Sequence, residues 1–334
     1  MRHQIFPAIV VLFTLTLGCA CAADPPQRVL LVTHAGGFMH DSLLTAEKVL
    51  KTLGPGHGLQ VTGWRFTADP DAPIKVKRKS GDQETELETT ALEDYSFRFQ
   101  KMMGEPVTRQ ECGRINAETL MRFDAVMFFT TSTWTTERGS HPLTESELKD
   151  LLAWVRNGGG FVATHCGSDT LHNTAYGELV GATFGGHPWV QKVRLRAEDP
   201  LHPAAKGLTD GSEIFDEIYQ FGAIPNHPAA VPLKVQPFSR DKLHIILSID
   251  NRSFDVTKGS REDQDYPVAW CQRFGQGRSF YTSLGHHKEI WADPRFQQHL
   301  LGGLKWTLGQ ANGDATPSSK LPKSLKTTQD TKGS

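Results

Sequence analysis

Phe123-Asp-Ala-Val-Met-Phe-Phe-Thr130, the segment Thr144 to Val155, and Phe161-Val-Ala-Thr164 decide the fold. The first is a short run of apolar and β-branched residues, which reads as a buried strand. Thr144 has Glu147 three residues on, a capping box that starts a helix. Leu148, Leu151, Leu152, Trp154 and Val155 continue it at helical spacing. Asn157-Gly158-Gly159-Gly160 ends it, and Phe161 to Thr164 returns as a strand. Strand, helix and strand in this order make a parallel crossover unit.

The same alternation extends outward. Arg28 to Thr33 is a strand, His34-Ala-Gly-Gly-Phe-Met-His40 a Gly-rich loop, and Asp41 or Ser42 caps a helix through Leu43, Leu44, Val49, Leu50 and Leu53. Gly54-Pro55-Gly56 stops that helix and Leu59 to Trp64 is a further strand. Towards the C-terminus, Val190–Leu195, Leu243–Ile249, Val268–Phe274 and Arg278–Tyr281 read as strands, the last two joined in a hairpin, and Phe296–Leu308 as a closing helix. Lys75 to Glu111 is charged and weakly periodic, which suits a long surface excursion with a helix near Leu92–Met103. The expected architecture is a three-layer α/β/α fold with a mostly parallel sheet and added β hairpins.

The ends stand apart. Met1-Arg2-His3, an apolar run from Ile5 to Leu17 and Ala20-Cys21-Ala22 have the form of a secretory signal cut after Ala22 or Ala23. Cys19 lies in a lipoprotein-like box and offers a lipid anchor. Residues 1–22 are therefore expected as signal peptide, 23–309 as the domain and 310–334, rich in Ser, Thr, Lys and Gly, as a disordered tail. The protein is expected outside the cytoplasm, periplasmic or extracellular, with no transmembrane segment. Lys and Arg number 36 against 37 Asp and Glu, a net charge of −1 over 334 residues, which argues against a nucleic-acid partner. Of five cysteines, Cys112, Cys166 and Cys271 remain after the signal, too few and too odd a number for a disulfide scaffold.

Fourteen histidines are the chemical peculiarity of the chain. In parallel sheets, ligands gather where strand carboxyl ends meet loops, here His34–His40, Thr130–His141 and His165–His172. Neither a P-loop nor GxGxxG is present, so no nucleotide cofactor is expected. Cys166 follows a strand directly, as a nucleophile at an elbow does. Gly186-His187-Pro188, Asp216-Glu217 and Gly285-His286-His287 add imidazoles and carboxylates, a set suited to proton transfer and to a divalent ion. No local motif such as HExxH exists, so any metal set must be assembled in space.

Thr33-His-Ala-Gly-Gly-Phe-Met-His-Asp-Ser42, Gly158-Gly-Gly-Phe-Val-Ala-Thr-His165, Tyr176-Gly-Glu-Leu-Val-Gly181, His187-Pro188, Phe215-Asp-Glu-Ile-Tyr219, Pro267-Val-Ala-Trp270 and Gly275-Gln-Gly-Arg-Ser-Phe-Tyr-Thr-Ser-Leu-Gly-His286 run in order along the chain. Together they resemble the ThuA-like (trehalose utilisation) family, whose fold is similar to that of class I glutamine amidotransferases, a flavodoxin-like arrangement. The resemblance implies one domain over residues 28–308 and a role in carbohydrate metabolism, on a trehalose-like disaccharide or its 3-keto derivative. His287-Lys288-Glu289 resembles the base and orienting acid of the amidotransferases, but Thr164 and Ser168 stand where their elbow needs glycine. The expected centre is therefore His165, His40 and His286 with Glu217 for acid–base work, the three histidines also holding a divalent metal ion, zinc foremost. His34, Asp41, Trp134, Asp169, His187 and Asp216 are expected to bind the sugar, with Trp189 and Trp291 as further stacking surfaces. A non-catalytic sugar-binding accessory protein and a thiol-dependent amidase or hydrolase acting through Cys166 are the alternatives.

Overall fold

The computed structural model describes residues 25–321 apart from 82, 133–140, 173 and 223–237, so the expected signal segment lies outside the described residues. The chain runs β1 (Gln27–Val32), α1 (Leu43–Leu53), β2 (Leu59–Trp64), β3 (Pro73–Ser80), β4 (Gln83–Thr90), α2 (Ala91–Met103), α3 (Ala117–Leu120), β5 (Ala125–Phe128), α4 (Glu145–Arg156), β6 (Gly160–Thr164) and α5 (Tyr176–Val180). It continues with β7 (Trp189–Ala197), β8 (Glu213–Ile218), β9 (His244–Ile249), β10 (Pro267–Phe274), β11 (Gly277–Thr282), α6 (Lys288–Ala292) and α7 (Pro294–Thr307).

Nine of these strands pair in the order β2-β1-β5-β6-β11-β10-β9-β7-β8. From β2 to β11 every pairing is parallel. From β11 to β8 every pairing is antiparallel. The α/β fold with added hairpins is the one expected, although the antiparallel half is as large as the parallel one. Successive strand residues point to opposite faces, and this chain is apolar on both. Val29, Leu31, Met127, Val162 and Phe280 pack under Leu43 and Leu50 of α1 and Leu300 and Leu304 of α7. Leu30, Val32, Val126, Phe128, Phe161 and Tyr281 pack under Leu148, Leu151 and Val155 of α4 and Leu179 of α5. The expected capping box closes α4: the Thr144 amide donates to Glu147 Oε2 at 2.8 Å, and the Glu147 amide to Thr144 Oγ1 at 3.3 Å.

Three features differ from the sequence reading. Residues 73–90 form a two-stranded ribbon rather than a loop, with Lys75, Lys77 and Lys79 opposite Glu88, Glu86 and Glu84. One side alternates Lys and Glu and the other carries Ile74 and Val76 and then the charged Arg78, too short an apolar run to reveal a strand; the Arg78 guanidinium lies 3.9 Å over the Phe97 ring of α2. Strand β8 was also not foreseen, because it is half acidic. Residues 310–321, placed in the tail by composition, lie against β9: His244 Nδ1 donates to the Thr316 carbonyl at 2.7 Å and the Ile245 amide to Ser318 Oγ at 2.8 Å. Among the described residues no helix is long and apolar enough to cross a membrane.

One consequence of the topology positions the site. β9 pairs with β7 only from Leu195 to Ala197, with its last residue, Ile249, opposite Leu195. The rest of β7 and its partner β8 therefore run past the carboxyl ends of the parallel strands. Asp216 and Glu217, near the end of β8, are carried over the loops that follow β1, β6 and β11.

Candidate active site

The corner after β6 is strained. His165 has φ +45°, a left-handed conformation that costs a residue with a Cβ about 1–2 kcal/mol. Neighbouring groups hold it there. Tyr281 Oη donates to the His165 carbonyl at 2.8 Å, and Thr164 Oγ1 donates to the Leu284 carbonyl at 2.7 Å. His165 Nδ1 lies 2.8 Å from the Ser283 carbonyl. A carbonyl only accepts, so Nδ1 carries a proton, and in the neutral ring Nε2 presents its lone pair to the crevice.

Around Nε2 gather four groups from three other parts of the chain. His286 Nδ1 is 3.2 Å from it. Glu217 Oε2 is 3.4 Å from it. His286 Nδ1 and Glu217 Oε2 are 3.1 Å apart. The His40 ring stands edge-on to both imidazoles, 4.8 Å from His165 and 5.1 Å from His286 between centroids. Tyr219 Oη lies 2.9 Å from Nε2 and its ring 4.4 Å from the His165 ring.

Each donor is fixed by its own local structure. Gly285, at φ +128°, is the fastening point of the loop that carries His286. Its amide donates to Asp216 Oδ2 at 2.7 Å, and its carbonyl accepts from Ser42 Oγ and Trp291 Nε1 at 3.2 and 2.9 Å. Ser42 thus stands at the start of α1 without capping it by its side chain. A Cβ on Gly285 would press on Thr164 Oγ1 at 3.2 Å, besides being strained in φ. Substituting Gly285 with Ala is accordingly expected to lower the melting temperature by several degrees, read by calorimetry. An unchanged value would contradict this account of the loop.

The electrostatics follow from crowding. Burial of Glu217 alone would raise its pKa, but the imidazoles around it, with hydrogen bonds from His187 and His286 among them, outweigh it and hold the carboxyl well below the usual carboxylate range. The hydrogen bond to Glu217 in turn raises His187 and His286. Burial, with the charges of His165 and His286, pushes His40 well below its ordinary value. His40 Nδ1 is buried without a hydrogen-bond partner, as is Asp216 Oδ1. An orphaned ring nitrogen in a buried polar cluster calls for a partner from outside the protein.

The four residues expected at the centre thus come together, each offering one ligand atom, with all four atoms within 4.8 Å of one another. His187 joins them through Glu217 Oε1 at 3.0 Å and is half-exposed. Asp216 acts from beneath, through Gly285. The other expected residues lie elsewhere. His34 is wholly buried between Phe66 and Tyr95, its Nδ1 accepting from the Thr67 amide at 3.2 Å, so it belongs to the core and offers no surface to a sugar. Asp41 pairs with Lys288 at 2.9 Å on the rim, and Asp169 with His172 at 2.8 Å. Trp134 lies outside the described residues. Trp189 and Trp291 are buried and offer no stacking face. Cys166 is buried in the core beneath the sheet ends, and burial pushes its thiol well above the ordinary range.

Tyr219 carried no role in the sequence reading. The signal was present: it lies two residues after Glu217, which in a strand means the same face. Reading it required recognising β8 as a strand.

Fold and site define a class: an α/β domain with a histidine–carboxylate centre at the carboxyl ends of its sheet. The chain belongs to the ThuA family, described as trehalose utilisation, whose family model matches residues 28–307. That membership implies a role in trehalose utilisation. Among solved structures, a ThuA-like protein from Bacteroides uniformis is similar at 18% identity and TM-score 0.52, with 90% of this chain and 99% of that one covered. A ThuA-like protein from Parabacteroides merdae is similar at 16% identity and TM-score 0.52, covering 88% of this chain and 96% of that one. At these identities the likeness concerns the fold. No curated protein matches the sequence.

Proposed function

We propose that this protein is an exported enzyme of disaccharide metabolism, acting on a trehalose-like disaccharide or its 3-keto derivative at a centre that holds a divalent metal ion. The observation that carries the reading is a triangle of donor atoms. His165 Nε2, His286 Nδ1 and Glu217 Oε2 stand 3.1 to 3.4 Å apart, with His40 beside them. Tetrahedral zinc, at about 2.0–2.1 Å from nitrogen and oxygen ligands, sets its donors about 3.3 Å apart. Three imidazoles and a carboxylate suit zinc among the divalent ions.

His40, His165, His286 and Glu217 would hold the ion, which supplies Lewis-acid polarisation of a sugar oxygen. The protein's own groups do the rest. The Ser283 carbonyl fixes the His165 tautomer, and Asp216 holds the His286 loop through Gly285. His187, half-exposed and bonded to Glu217 Oε1, stands where a proton can pass between the buried carboxylate and the crevice. The signal-like pattern of residues 1–22 is what supports the extracytoplasmic placement.

Metal analysis of protein purified without a histidine tag, paired with mass spectrometry of its products from oxidised and unoxidised disaccharides, tests this. About one divalent ion per chain and turnover that chelation abolishes are expected. Stoichiometric sugar binding without product would favour the accessory reading, and protein with neither metal nor turnover would overturn the proposal. The thiol reading lacks support, since Cys166 is buried; its alanine variant is expected to keep full activity, and loss of activity would restore that reading.

A further inference from the structure

Tyr219 stands against the atom that an ion must bind. Its hydroxyl lies 2.9 Å from His165 Nε2, while a zinc–imidazole bond is about 2.0–2.1 Å long. In the neutral imidazole that can bind an ion, Nε2 has one lone pair, and the phenol donates to it. The two occupants compete for that pair. The Tyr219 ring is otherwise well seated, 4.4 Å from both the His165 and Phe184 rings, and the residue is buried. The phenol oxygen is fixed on the ring axis, so it changes partner only by a small rotation about Cα–Cβ that carries the ring with it.

We propose that Tyr219 is a gatekeeping donor of this centre: it bonds His165 Nε2 while the centre is empty, and an arriving ion displaces its hydroxyl towards the crevice, where as a neutral phenol it donates to the substrate oxygen. The proposal rests on the metal reading given above. It assigns the tyrosine a role opposite to that of a ligand. A ligand's removal weakens metal binding, whereas removing a competitor strengthens it. The hydrogen bond to be broken has the net worth of an ordinary one, which corresponds to about threefold to tenfold in affinity.

The test uses zinc alone. Its affinity is measured by titration against a competing chelator near neutral pH, for the full chain and for Tyr219→Phe, which keeps the ring contacts. The phenylalanine variant is expected to bind zinc about threefold to tenfold more tightly. Equal or weaker binding overturns the proposal. A second measurement needs no variant: the near-ultraviolet absorbance of the unaltered protein is followed as zinc is added. No phenolate band is expected, and its appearance would make Tyr219 a ligand and overturn the proposal. If the unaltered protein binds no zinc, the metal reading fails with it; if it binds zinc and only the variant's affinity disagrees, the gatekeeping role alone fails.

Discussion

Replacing His165 with alanine is expected to cost more than about 100-fold in zinc affinity and to abolish turnover, with little change in melting temperature. Losing a group that merely orients a metal-binding imidazole typically costs about 10–100-fold, so losing the imidazole itself should exceed that range. The fold should tolerate the change. The Tyr281 hydrogen bond goes to the His165 backbone carbonyl, and the Thr164 bond to Leu284 does not involve the ring. Alanine bears the same left-handed strain as histidine, so none is added. Zinc titration and calorimetry on the same preparation check this. A variant that keeps stoichiometric zinc would remove His165 from the centre. One that loses zinc only because it unfolds would show a collapsed melting transition instead.

The second large effect concerns acid. Three histidines far from the proposed metal ligands are buried neutral. Burial, helped by the charges of Arg98 and His141, pushes His34 down to about 3. Burial pushes His202 and His299 down to about 4. His202 Nδ1 accepts a hydrogen bond from the Ala204 amide at 3.1 Å, which a second ring proton would break. In the unfolded chain each takes a proton near pH 6.5. Below that pH the unfolded state binds more protons than the folded one, so stability falls as pH falls from about 6.5 towards 4. At pH 5 the loss is about 2 kcal/mol for each histidine, together a large share of the roughly 5–15 kcal/mol that a domain holds. Asp169 and Asp216, raised by burial, act in the opposite sense, and the raised His187, His244 and His286 stabilise the fold as pH falls to about 6.5, so the loss is read below that pH. Urea unfolding followed from pH 7.5 down to about 5 should show the midpoint dropping steeply; a flat profile would show that these histidines are solvated or protonated in the fold.

Much of the framework was legible from residue patterns. The runs Arg28–Thr33, Phe123–Thr130 and Phe161–Thr164 are apolar on both faces, a pattern that requires cover on both sides, and the glycines and capping residues between them mark where helices begin and end. The ribbon at 73–90 and strand β8 escaped for one reason. Their strand period is carried by charge and by single large residues, not by a buried apolar face, and a hydrophobic pattern is blind to that.

Residue patterns alone marked the groups able to do chemistry: histidines after strand ends and an Asp-Glu pair, with no nucleotide motif. The tertiary structure decided which of them meet. His40, His165, Glu217 and His286 are separated by tens of residues, and only the overhang of β7 and β8 past the sheet brings the carboxylate to the imidazoles. His34, alike in sequence context, turns out to be core, because it is packed between Phe66 and Tyr95. The corner decided between His165 and Cys166: both are buried, but the His165 ring meets His40, Glu217 and His286 while Cys166 lies in the apolar core. Such choices depend on distances across a closed sheet, and local sequence holds no record of those.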